Sequence, residues 1–508
     1  MPRSVSILGT VALDPRASVP LHRQLYLALR EGVLDGRLKP GARLPATRVL
    51  AAELGVSRNT VLAAFEQLVA EGYLESRVGS GTRVAALAPE ALLHVGRSAR
   101  QETTRDGGSS LPLSRRGRAL ASVERPSPRG GAAFRPGLPA RAEFPLELWS
   151  RLLARHARRS RADAFGYDHA GGLPVLRAQI AAYFGAARGV SCHADQVIVV
   201  AGAQAGLDLA ARMLLDPGDA AWIEDPGYLG ARGALVGAGA RLVPVPIDGE
   251  GMDLDAAERA SPPPRLVYVT PSHQFPTGVT MTLARRLALL ERAQRWGAWI
   301  LEDDYDSEYR YAGRPLACLQ GLDRAGVVLY LGTFSKMMFP ALRVGYVVVP
   351  PSLVEPFRIA LRSTGHAVPL AVQGALGEFV GEGHLATHVR RMRVLYAERQ
   401  ARLLDWSRRL LAGALDVEPE DSGLQLAADL AEPLDDRHVA VAAAEEGVVA
   451  APLSSYFLGE PTRRGLLLGY AGVPEREIGR GVERLARAIE RVQRSAAKPA
   501  RRSAGARR

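Results

Sequence analysis

Lysine is nearly absent from this chain of 508 residues. Of its 65 basic side chains all but three are arginines, and the exceptions are Lys39, Lys336 and Lys498. An arginine supplies surface charge as well as a lysine does, but its guanidinium stays protonated and cannot act as an amine nucleophile. A lysine retained in such a chain is either structural or a candidate for amine chemistry. Lys336 is the first candidate because of the residues around it.

Cysteine and long apolar runs are scarce as well. Cys192 and Cys318 are too few for a disulfide framework and show no metal-ligand spacing, so no metal site is expected. No apolar run reaches the roughly 20 residues that a membrane helix needs, and no signal peptide is recognisable. We therefore expect a soluble, cytoplasmic protein without a membrane partner. Its net charge of +12 favours a polyanionic partner, although an arginine-rich composition raises the charge generally.

Lys336 lies in the run TFSKMMFPALRVGY, residues 333–346. Thr333 and Ser335 place hydroxyls before it, and Arg343 follows seven residues later. Hydroxyls and an arginine around a Schiff-base lysine suit a phosphate ester held beside an aldehyde. This combination predicts pyridoxal 5'-phosphate (PLP) as the cofactor.

A phosphate site is predicted upstream, in VIVVAGAQAGLDLAARML (residues 197–214). An apolar, β-branched run is followed by a small-residue turn and then by a helical pattern. The backbone amides of Gly202, Ala203 and Gln204 would face an anion at the helix N-terminus, where free N–H groups and the helix dipole favour negative charge.

Two further strand ends carry groups that suit the cofactor ring. Tyr228, in the turn of residues 221–232, is placed to stack on a pyridine ring, with an exposed turn tyrosine as the alternative. The strand of residues 299–311 ends in three acidic residues. A pyridinium nitrogen keeps its proton beside a carboxylate, which strengthens the ring as an electron sink. Asp303 is our choice for that carboxylate, and Tyr305 is expected to hydrogen-bond the ring hydroxyl.

These elements, in this order, resemble the large domain of fold-type I aminotransferases. The resemblance runs from about residue 134 to about residue 492, with FRPGLPARAEFPLELW near its start and FGYDHAGGLPVLRAQIAAYF after it. It implies that Lys336 forms the internal aldimine with PLP and that Arg343 grips the phosphate. Tyr167, in a YxxxxG element, would reach the phosphate held by the partner subunit, which implies a homodimer with shared sites.

The chain departs from that family at two positions. Where the family has Asn before PTG, this chain reads TPSHQFPTG with Phe275, so His273 or Gln274 replaces the contact or it is lost. Near the C-terminus the family carries an arginine that clamps the substrate carboxylate. The run GLLLGYA has Leu467 at that position, which puts ordinary transamination in doubt.

The N-terminal part of the chain reads as a helix-turn-helix. Apolar residues at helical spacing, from Leu21 to Val33, predict a first helix, and GRLKPGARLP breaks it. A second helix over residues 47–54 stops at Gly55. Ser57 then caps a third helix that runs to about Glu71. Two short helices joined by a tight glycine turn form this motif.

The third helix begins with SRNT, which would enter a major groove, and YLESRVGSGTRV after it predicts a β-hairpin wing. This span closely resembles the winged helix of GntR-type bacterial regulators, which implies operator DNA as the partner. Solvated surface positions, or a module for protein contacts, are the alternatives. The residues predicted to contact DNA are Arg48, Ser57, Arg58, Asn59, Thr60, Arg77, Gly79, Gly81 and, for phosphate, also Arg83.

A GntR-type winged helix joined to a fold-type I aminotransferase-like domain is the architecture of the MocR (GabR-like) subfamily of regulators, an α/β fold. We predict a winged helix over residues 15–85, a flexible basic linker over residues 86–131, the PLP-binding domain over residues 132–492, and a disordered basic tail over residues 493–508.

The resulting hypothesis is a PLP-dependent transcriptional regulator whose Lys336 aldimine senses an amino compound or PLP itself. The absence of an arginine at Leu467 tilts this choice towards PLP. The alternatives are a working aminotransferase with a DNA-binding head, and a constitutive DNA-binding protein in which PLP is structural. For a sensor, at most half of a transamination cycle is expected.

Overall fold

The computed structural model describes residues 11, 13–77, 81–86, 112–123, 133–159, 171–312, 317–365 and 367–496. The chain divides into two compact units, residues 1–111 and 112–508. Cys192 and Cys318 are both free. Of the helices in the described ranges, none combines the length and the apolar character needed to cross a membrane.

The first unit has the predicted helix-turn-helix and wing. Gly55 ends the second helix in the left-handed conformation at φ 65°, and Ser57 caps the third helix by accepting a hydrogen bond from the Thr60 amide at 3.1 Å. The wing strands are antiparallel, with Leu74 opposite Val84. The elements are α1 Leu21–Leu34, α2 Thr47–Leu54, α3 Arg58–Ala70, β1 Leu74–Arg77 and β2 Gly81–Val84.

The core of this unit forms where the apolar stripes of the helices meet. Leu25 and Leu29 of α1 pack in one buried cluster with Val61 and Phe65 of α3, and these four side chains are at most 3% exposed. The stripe recurs every three to four residues, so one face of each amphipathic helix is buried.

The second unit contains the remaining described helices and strands. Its helices are α4 Arg115–Ala121, α5 Leu146–Arg159, α6 Pro174–Arg188, α7 Ala203–Leu214, α8 Leu229–Ala238, α9 Leu254–Ala260, α10 Leu283–Trp296, α11 Leu319–Leu322, α12 Val354–Thr364, α13 Leu370–Gly381, α14 His384–Leu410, α15 Asp436–Glu445 and α16 Glu475–Ala496. Its strands are β3 Val197–Val200, β4 Ala220–Asp225, β5 Arg241–Asp248, β6 Gly251–Met252, β7 Leu266–Val269, β8 Trp299–Asp304, β9 Val328–Thr333, β10 Gly345–Val348, β11 Leu415–Val417, β12 Gln425–Leu430, β13 Ala451–Pro452 and β14 Gly465–Gly469.

The larger sheet is mixed, in the order β3-β10-β9-β8-β7-β4-β5-β6. The strands from β9 to β5 are parallel, whereas β10 runs antiparallel to both β3 and β9. Strands β7 and β9 are buried along their whole length, as expected when helices cover both faces of a parallel sheet. The carboxyl ends of β7, β8 and β9 therefore lie side by side.

A smaller antiparallel sheet, β11-β12-β14-β13, lies towards the C-terminus. The segment at residues 133–137 runs beside it, because Phe134 bridges Gly469 of β14 in antiparallel register. The Gly469 amide donates to the Phe134 carbonyl at 2.8 Å. The start of the second unit is thus attached to its C-terminal sheet.

The predicted flexible linker differs from the structure over part of its length. Ser114 caps the helix α4 by accepting a hydrogen bond from the Gly117 amide at 2.9 Å, and α4 packs on α8 with Leu120 beside Gly237. The prediction of a flexible stretch was therefore wrong here. Helix α16 also continues to Ala496, past the predicted start of the tail at residue 493. Residues 87–111, 124–132 and 497–508 lie outside the described residues.

Candidate functional site

The carboxyl ends of β7, β8 and β9 and the N-terminus of α7 surround a cavity of about 200 Å³, called here the inner cavity. Most of the residues predicted to bind the cofactor line it. Its lining consists of Ala203, Gln204, Tyr228, Tyr268, Thr270, Phe275, Asp303, Tyr305, Thr333, Ser335, Lys336, Pro340, Arg343 and Gln425.

Lys336 enters this cavity just after β9 ends at Thr333. Its Nζ donates a hydrogen bond to the Gly137 carbonyl at 2.8 Å. Gly137 has φ 68°, and a Cβ at that position would lie 2.5 Å from Nζ, so only glycine leaves room for the amine. Burial lowers the pKa of Lys336, and the charges of Asp306 and Asp303 oppose this shift. A lysine with a lowered pKa is more readily deprotonated and hence a better nucleophile.

Asp303, at the end of β8, has one oxygen bound and one free. Its Oδ2 accepts a hydrogen bond from the Tyr268 hydroxyl at 2.8 Å, whereas its buried Oδ1 has no partner among the described residues. Burial raises the pKa of Asp303 to about 7, with the Tyr268 hydrogen bond and Lys336 opposing and Asp304 adding to the shift. A buried acceptor without a donor is costly. A cationic N–H group in the cavity would satisfy it.

Tyr305 is oriented by a buried histidine. The His273 ring lies between Asp306, 3.1 Å from Nδ1, and Glu420, 2.8 Å from Nε2. Burial lowers the pKa of His273, but Asp306 and Glu420 together raise it to about 10. Both ring nitrogens of the imidazolium are then donors, so the Tyr305 oxygen, 3.0 Å from Nδ1, accepts. The Tyr305 hydroxyl proton remains available to the cavity.

The sequence left open whether His273 or Gln274 replaces the family's asparagine. Neither lines the inner cavity. Gln274 instead donates to the Pro226 carbonyl of a distant turn at 2.9 Å and, within its own turn, accepts from the Thr277 amide at 3.0 Å. Phe275 does line the cavity, so this segment contributes an apolar ring there, and His273 acts through Tyr305.

The predicted phosphate site lies at the start of α7. The Arg343 guanidinium carbon would be 3.4 Å from a Cβ on Gly202, which has φ 86°. Gly202 itself differs from the prediction, because its amide donates to the Val200 carbonyl at 2.7 Å. Ala203 and Gln204 lie in the first turn of α7, where the N–H groups of a helix have no intrahelical acceptor. The Arg343 guanidinium has no hydrogen bond or ion pair within the described residues.

The other predicted cofactor residues also face this cavity. Thr333 and Ser335 both line it, and the Ser335 amide donates to the Thr333 hydroxyl at 3.2 Å. Tyr228 lies in its wall with its ring edge against Phe275, at a centroid distance of 5.6 Å. Tyr167 lies outside the described residues.

A larger cavity of about 780 Å³, called here the outer cavity, adjoins the inner one. The two share Tyr228, Phe275, Lys336 and Gln425. Sequence reasoning missed Tyr268, Gln425 and Arg135 of these two cavities. Each reaches its cavity from a distant part of the chain, and no local pattern marks it.

In the winged helix, the first residues of α3 separate into two groups. Arg58 and Asn59 are exposed, as expected of side chains that read bases. Ser57 and Thr60 bond each other, with their hydroxyl oxygens 2.9 Å apart, so they serve the helix cap. Arg48 on α2 is exposed and suits a phosphate contact.

The wing agrees with the prediction in part. Gly81 has φ 79°, and a Cβ there would lie 3.2 Å from the Arg43 guanidinium. Arg83 donates to the Gly41 carbonyl at 3.1 Å, which ties the wing to the loop before α2. Gly79 and the side chain of Arg77 lie outside the described residues.

The class of protein follows from two matches to known families. Residues 21–84 match the family described as bacterial regulatory proteins, gntR family, and residues 143–485 match aminotransferase class I and II. The first family binds DNA, and the second is PLP-dependent. The two units therefore combine a DNA-binding domain with an aminotransferase-like domain whose cofactor is PLP.

Two regulators match nearly the whole chain, and a solved aminotransferase matches three quarters of it. The chain is 48% identical to a probable rhizopine catabolism regulatory protein MocR of Rhizobium meliloti, over 96% of this chain and 98% of that protein. It is 32% identical to the pyridoxine biosynthesis transcriptional regulator PdxR of Corynebacterium glutamicum, over 92% and 95%. The solved α-aminoadipate aminotransferase LysN of Thermus thermophilus, complexed with N-(5'-phosphopyridoxyl)-L-leucine, is 29% identical over 75% of this chain and 96% of its own, with a TM-score of 0.67. The chain belongs to the MocR subfamily of GntR-type transcriptional regulators, and these relatives favour regulation over metabolic transamination.

Proposed function

We infer that this regulator holds PLP in the inner cavity and responds to a small amino compound that enters through the outer cavity. The observation that carries the proposal is the convergence of the partly buried Lys336 amine, an Asp303 oxygen without a partner among the described residues, and the Arg343 guanidinium on one cavity. These are the groups that an aldehyde, a pyridinium nitrogen and a phosphate require. They occur in the same chain as a GntR-type winged helix.

Each group has a defined role in this proposal. Asp303 keeps the ring nitrogen protonated, and Tyr305, held by His273, donates to the ring hydroxyl oxygen. Arg343 and the first amides of α7 bind the phosphate. Bound PLP supplies an aldehyde carbon that carries one amine at a time, so an amino effector competes with Lys336.

The outer cavity favours an amino compound over PLP as the signal. Its volume of about 780 Å³ adjoins the cofactor site and shares Lys336 with it, so a second small molecule fits beside the cofactor. The relative named for rhizopine catabolism, at 48% identity, also supports a catabolic signal over the 32% identical PdxR. This reverses the tilt towards PLP that Leu467 suggested.

The regulatory output rests on linkage between the two units. An effector changes DNA affinity only if it binds the two conformations of the protein with different affinities. We propose a homodimer that reads a two-part operator with two winged helices. An effector that replaces Lys336 on the cofactor's aldehyde carbon would complete at most half of a transamination cycle in this scheme.

The test measures operator affinity for the PLP-loaded wild type and for Lys336→Ala, each with and without candidate amines. DNA from the promoter region of the regulator's own gene serves as the first operator. We expect an amine to shift the wild-type affinity at least about 5-fold, the lower end of typical allosteric coupling. Lys336→Ala should respond differently to the same amine, because no lysine competes there for the aldehyde carbon. Equal affinities for both proteins under every condition would refute the linkage. Multiple turnovers with amino donors and 2-oxo acids would instead indicate an enzyme.

A further inference from the structure

The outer cavity is lined by an arginine for which the described part of the chain offers no partner. Arg135 lines this cavity together with Lys336 and Gly137, and its side chain is half-buried. No hydrogen bond or ion pair within the described residues engages its guanidinium. An arginine fork presents donors in the geometry that suits a carboxylate, a sulfonate or a phosphate.

The position of Arg135 is fixed by its backbone. Phe134 bridges Gly469 at the end of β14, and a Cβ on Gly469 would lie 2.2 Å from the Arg135 carbonyl oxygen. The Lys336 amine bonds the carbonyl of Gly137, two residues further on. Consecutive Cα atoms are about 3.8 Å apart, so the Cα atoms of Arg135 and Gly137 lie at most about 7 Å from each other, and a long arginine side chain spans the distance to a ligand at Lys336.

The usual arginine position cannot supply this charge. Leu467 of β14 is fully buried and packs with Leu229, Tyr456 and Phe275, which form the cavity wall, so it lies behind that wall. Arg135 lies on the segment that runs alongside the end of β14. Arg135 therefore supplies a cation from the segment next to β14, the strand in which Leu467 occupies the usual arginine position.

A second unpartnered group faces the same space. Gln425 lines both cavities and is 3% exposed, and its buried Oε1 has no hydrogen-bond partner among the described residues. This oxygen would lie 3.8 Å from a Cβ on Gly137, the residue that holds the Lys336 amine. A buried acceptor without a partner would be stabilised by an N–H or O–H donor on a ligand.

The other charged groups of the outer cavity are already engaged. Arg437 donates from Nε to the Ser454 hydroxyl at 3.3 Å, and Glu445 pairs with Arg491 at 2.7 Å. Arg135 is thus the lining arginine that lacks a partner within the described part of the chain.

We propose that Arg135 and Gln425 select the effector: an amino compound with an anionic group, bound by Arg135, and a hydrogen-bond donor near its amine, bound by Gln425 Oε1. This inference rests on the proposed function, because it names the ligand of the same cavity. Carboxylates, sulfonates and phosphates share this chemistry, and amino compounds bearing each of them separate the cases.

The experiment compares matched ligand pairs on the PLP-loaded full-length protein. Each amino carboxylate, sulfonate or phosphate is paired with the uncharged amine of the same chain length. Binding is measured by calorimetry and by the absorbance of the bound cofactor. For the wild type we expect one anionic class to bind at least about 10-fold more tightly than its amine, the lower range for a hydrogen bond to a charged group.

Arg135→Gln should remove this preference and leave the affinity for the uncharged amine within about 2-fold. Arg135→Lys keeps the charge and should retain part of the preference, which separates charge recognition from misfolding. Arg437→Gln changes an exposed arginine of the same cavity that donates to Ser454, and it should keep the preference. Gln425→Leu should weaken the binding of the anionic compound and of its matched amine to the same extent.

Two results would overturn the selection of an anionic effector. One is a preference that survives Arg135→Gln or disappears only in Arg437→Gln. The other is a wild type that binds amines without preferring an anionic group, which leaves the proposed amino-compound sensor intact. If no amino compound of any class binds while PLP uptake alone changes DNA affinity, both proposals fail together.

Discussion

Asp303 is a buried carboxyl group, and its Oδ1 accepts no hydrogen bond from the described residues. The pKa of Asp303 is raised from 3.8 to about 7. Between these two pH values the folded cofactor-free protein keeps the Asp303 proton, whereas the unfolded chain has lost it. Stability therefore falls as the pH rises from about 4 to about 7. PLP binding should reverse this penalty by bringing a cationic N–H to the carboxylate.

Asp303→Asn should separate these two effects. In the cofactor-free protein it should flatten the fall in stability between about pH 4 and pH 7, measured by denaturant unfolding. It should also weaken PLP binding by about 10-fold or more, because a charge-assisted hydrogen bond is lost. Unchanged PLP affinity would mean that Asp303 does not contact the ring nitrogen. Asp405→Asn, on the solvent side of α14, is the control.

His273 stabilises the fold and positions Tyr305. Replacing it with Gln leaves Asp306 and Glu420 without their cation, which should lower the free energy of unfolding at pH 6 by about 3 kcal/mol. The pKa of His273 is raised from 6.5 to about 10, so this contribution is complete below pH 6.5 and is lost as the pH rises through 10. The gap between wild type and variant should narrow over that range. His438→Gln, at a side chain 80% exposed, should change stability by less than about 0.5 kcal/mol.

Among the secondary-structure elements, β10 and α7 meet so closely that only glycine fits between them. A Cβ on Gly345 would lie 2.9 Å from the Ala203 nitrogen and 3.0 Å from the Gly332 oxygen. Since these are backbone atoms, relief requires a shift of the strand or of the helix start. The amides proposed to bind the phosphate lie at this contact.

Gly345→Ala should therefore cost about 1–3 kcal/mol of stability and weaken PLP binding at the same time. Thermal unfolding and a PLP titration measure the two effects. The control is Gly249→Ala, because no heavy atom lies within 4 Å of a Cβ at that turn. Equal PLP affinity for both variants would argue against the phosphate site at α7.

The elements that the sequence predicted well are those with strong local signals. Helix α2 has the predicted bounds because Gly55 stops it, and α3 begins where Ser57 caps it. The His273 network and the Arg135 segment could not be predicted, because their partners are far apart in the chain. Helix α4 was missed because a short helix owes its stability mainly to packing, here against α8.

For the molecule as a whole, a net charge of +12 predicts DNA binding that weakens with salt. Two arginines of the winged helix should contribute differently, one to sequence preference and the other to salt-dependent affinity. Arg58→Gln should cost about 1–3 kcal/mol on the operator and relax sequence preference, whereas Arg48→Gln should weaken all DNA alike and reduce the salt slope by about 1. Fluorescence anisotropy with operator and scrambled DNA at several salt concentrations tests this. The control is Arg151→Gln, at an exposed position on α5, which should change neither the operator affinity nor the salt slope. Identical effects of Arg58→Gln and Arg48→Gln would contradict the assigned roles.

The scarcity of lysine makes the protein suited to site-selective labelling. Lys336 is partly buried with its amine bonded to Gly137, whereas Lys39 is exposed in the loop between α1 and α2. In the PLP-loaded protein, where the cofactor occupies Lys336, an amine-reactive dye should therefore mark the winged helix at Lys39, together with a free N-terminal amine, and spare the cofactor site. With Lys498 replaced by arginine, a fluorophore at Lys39 would report DNA engagement while PLP absorbance reports the cavity, so both events could be followed in one cuvette.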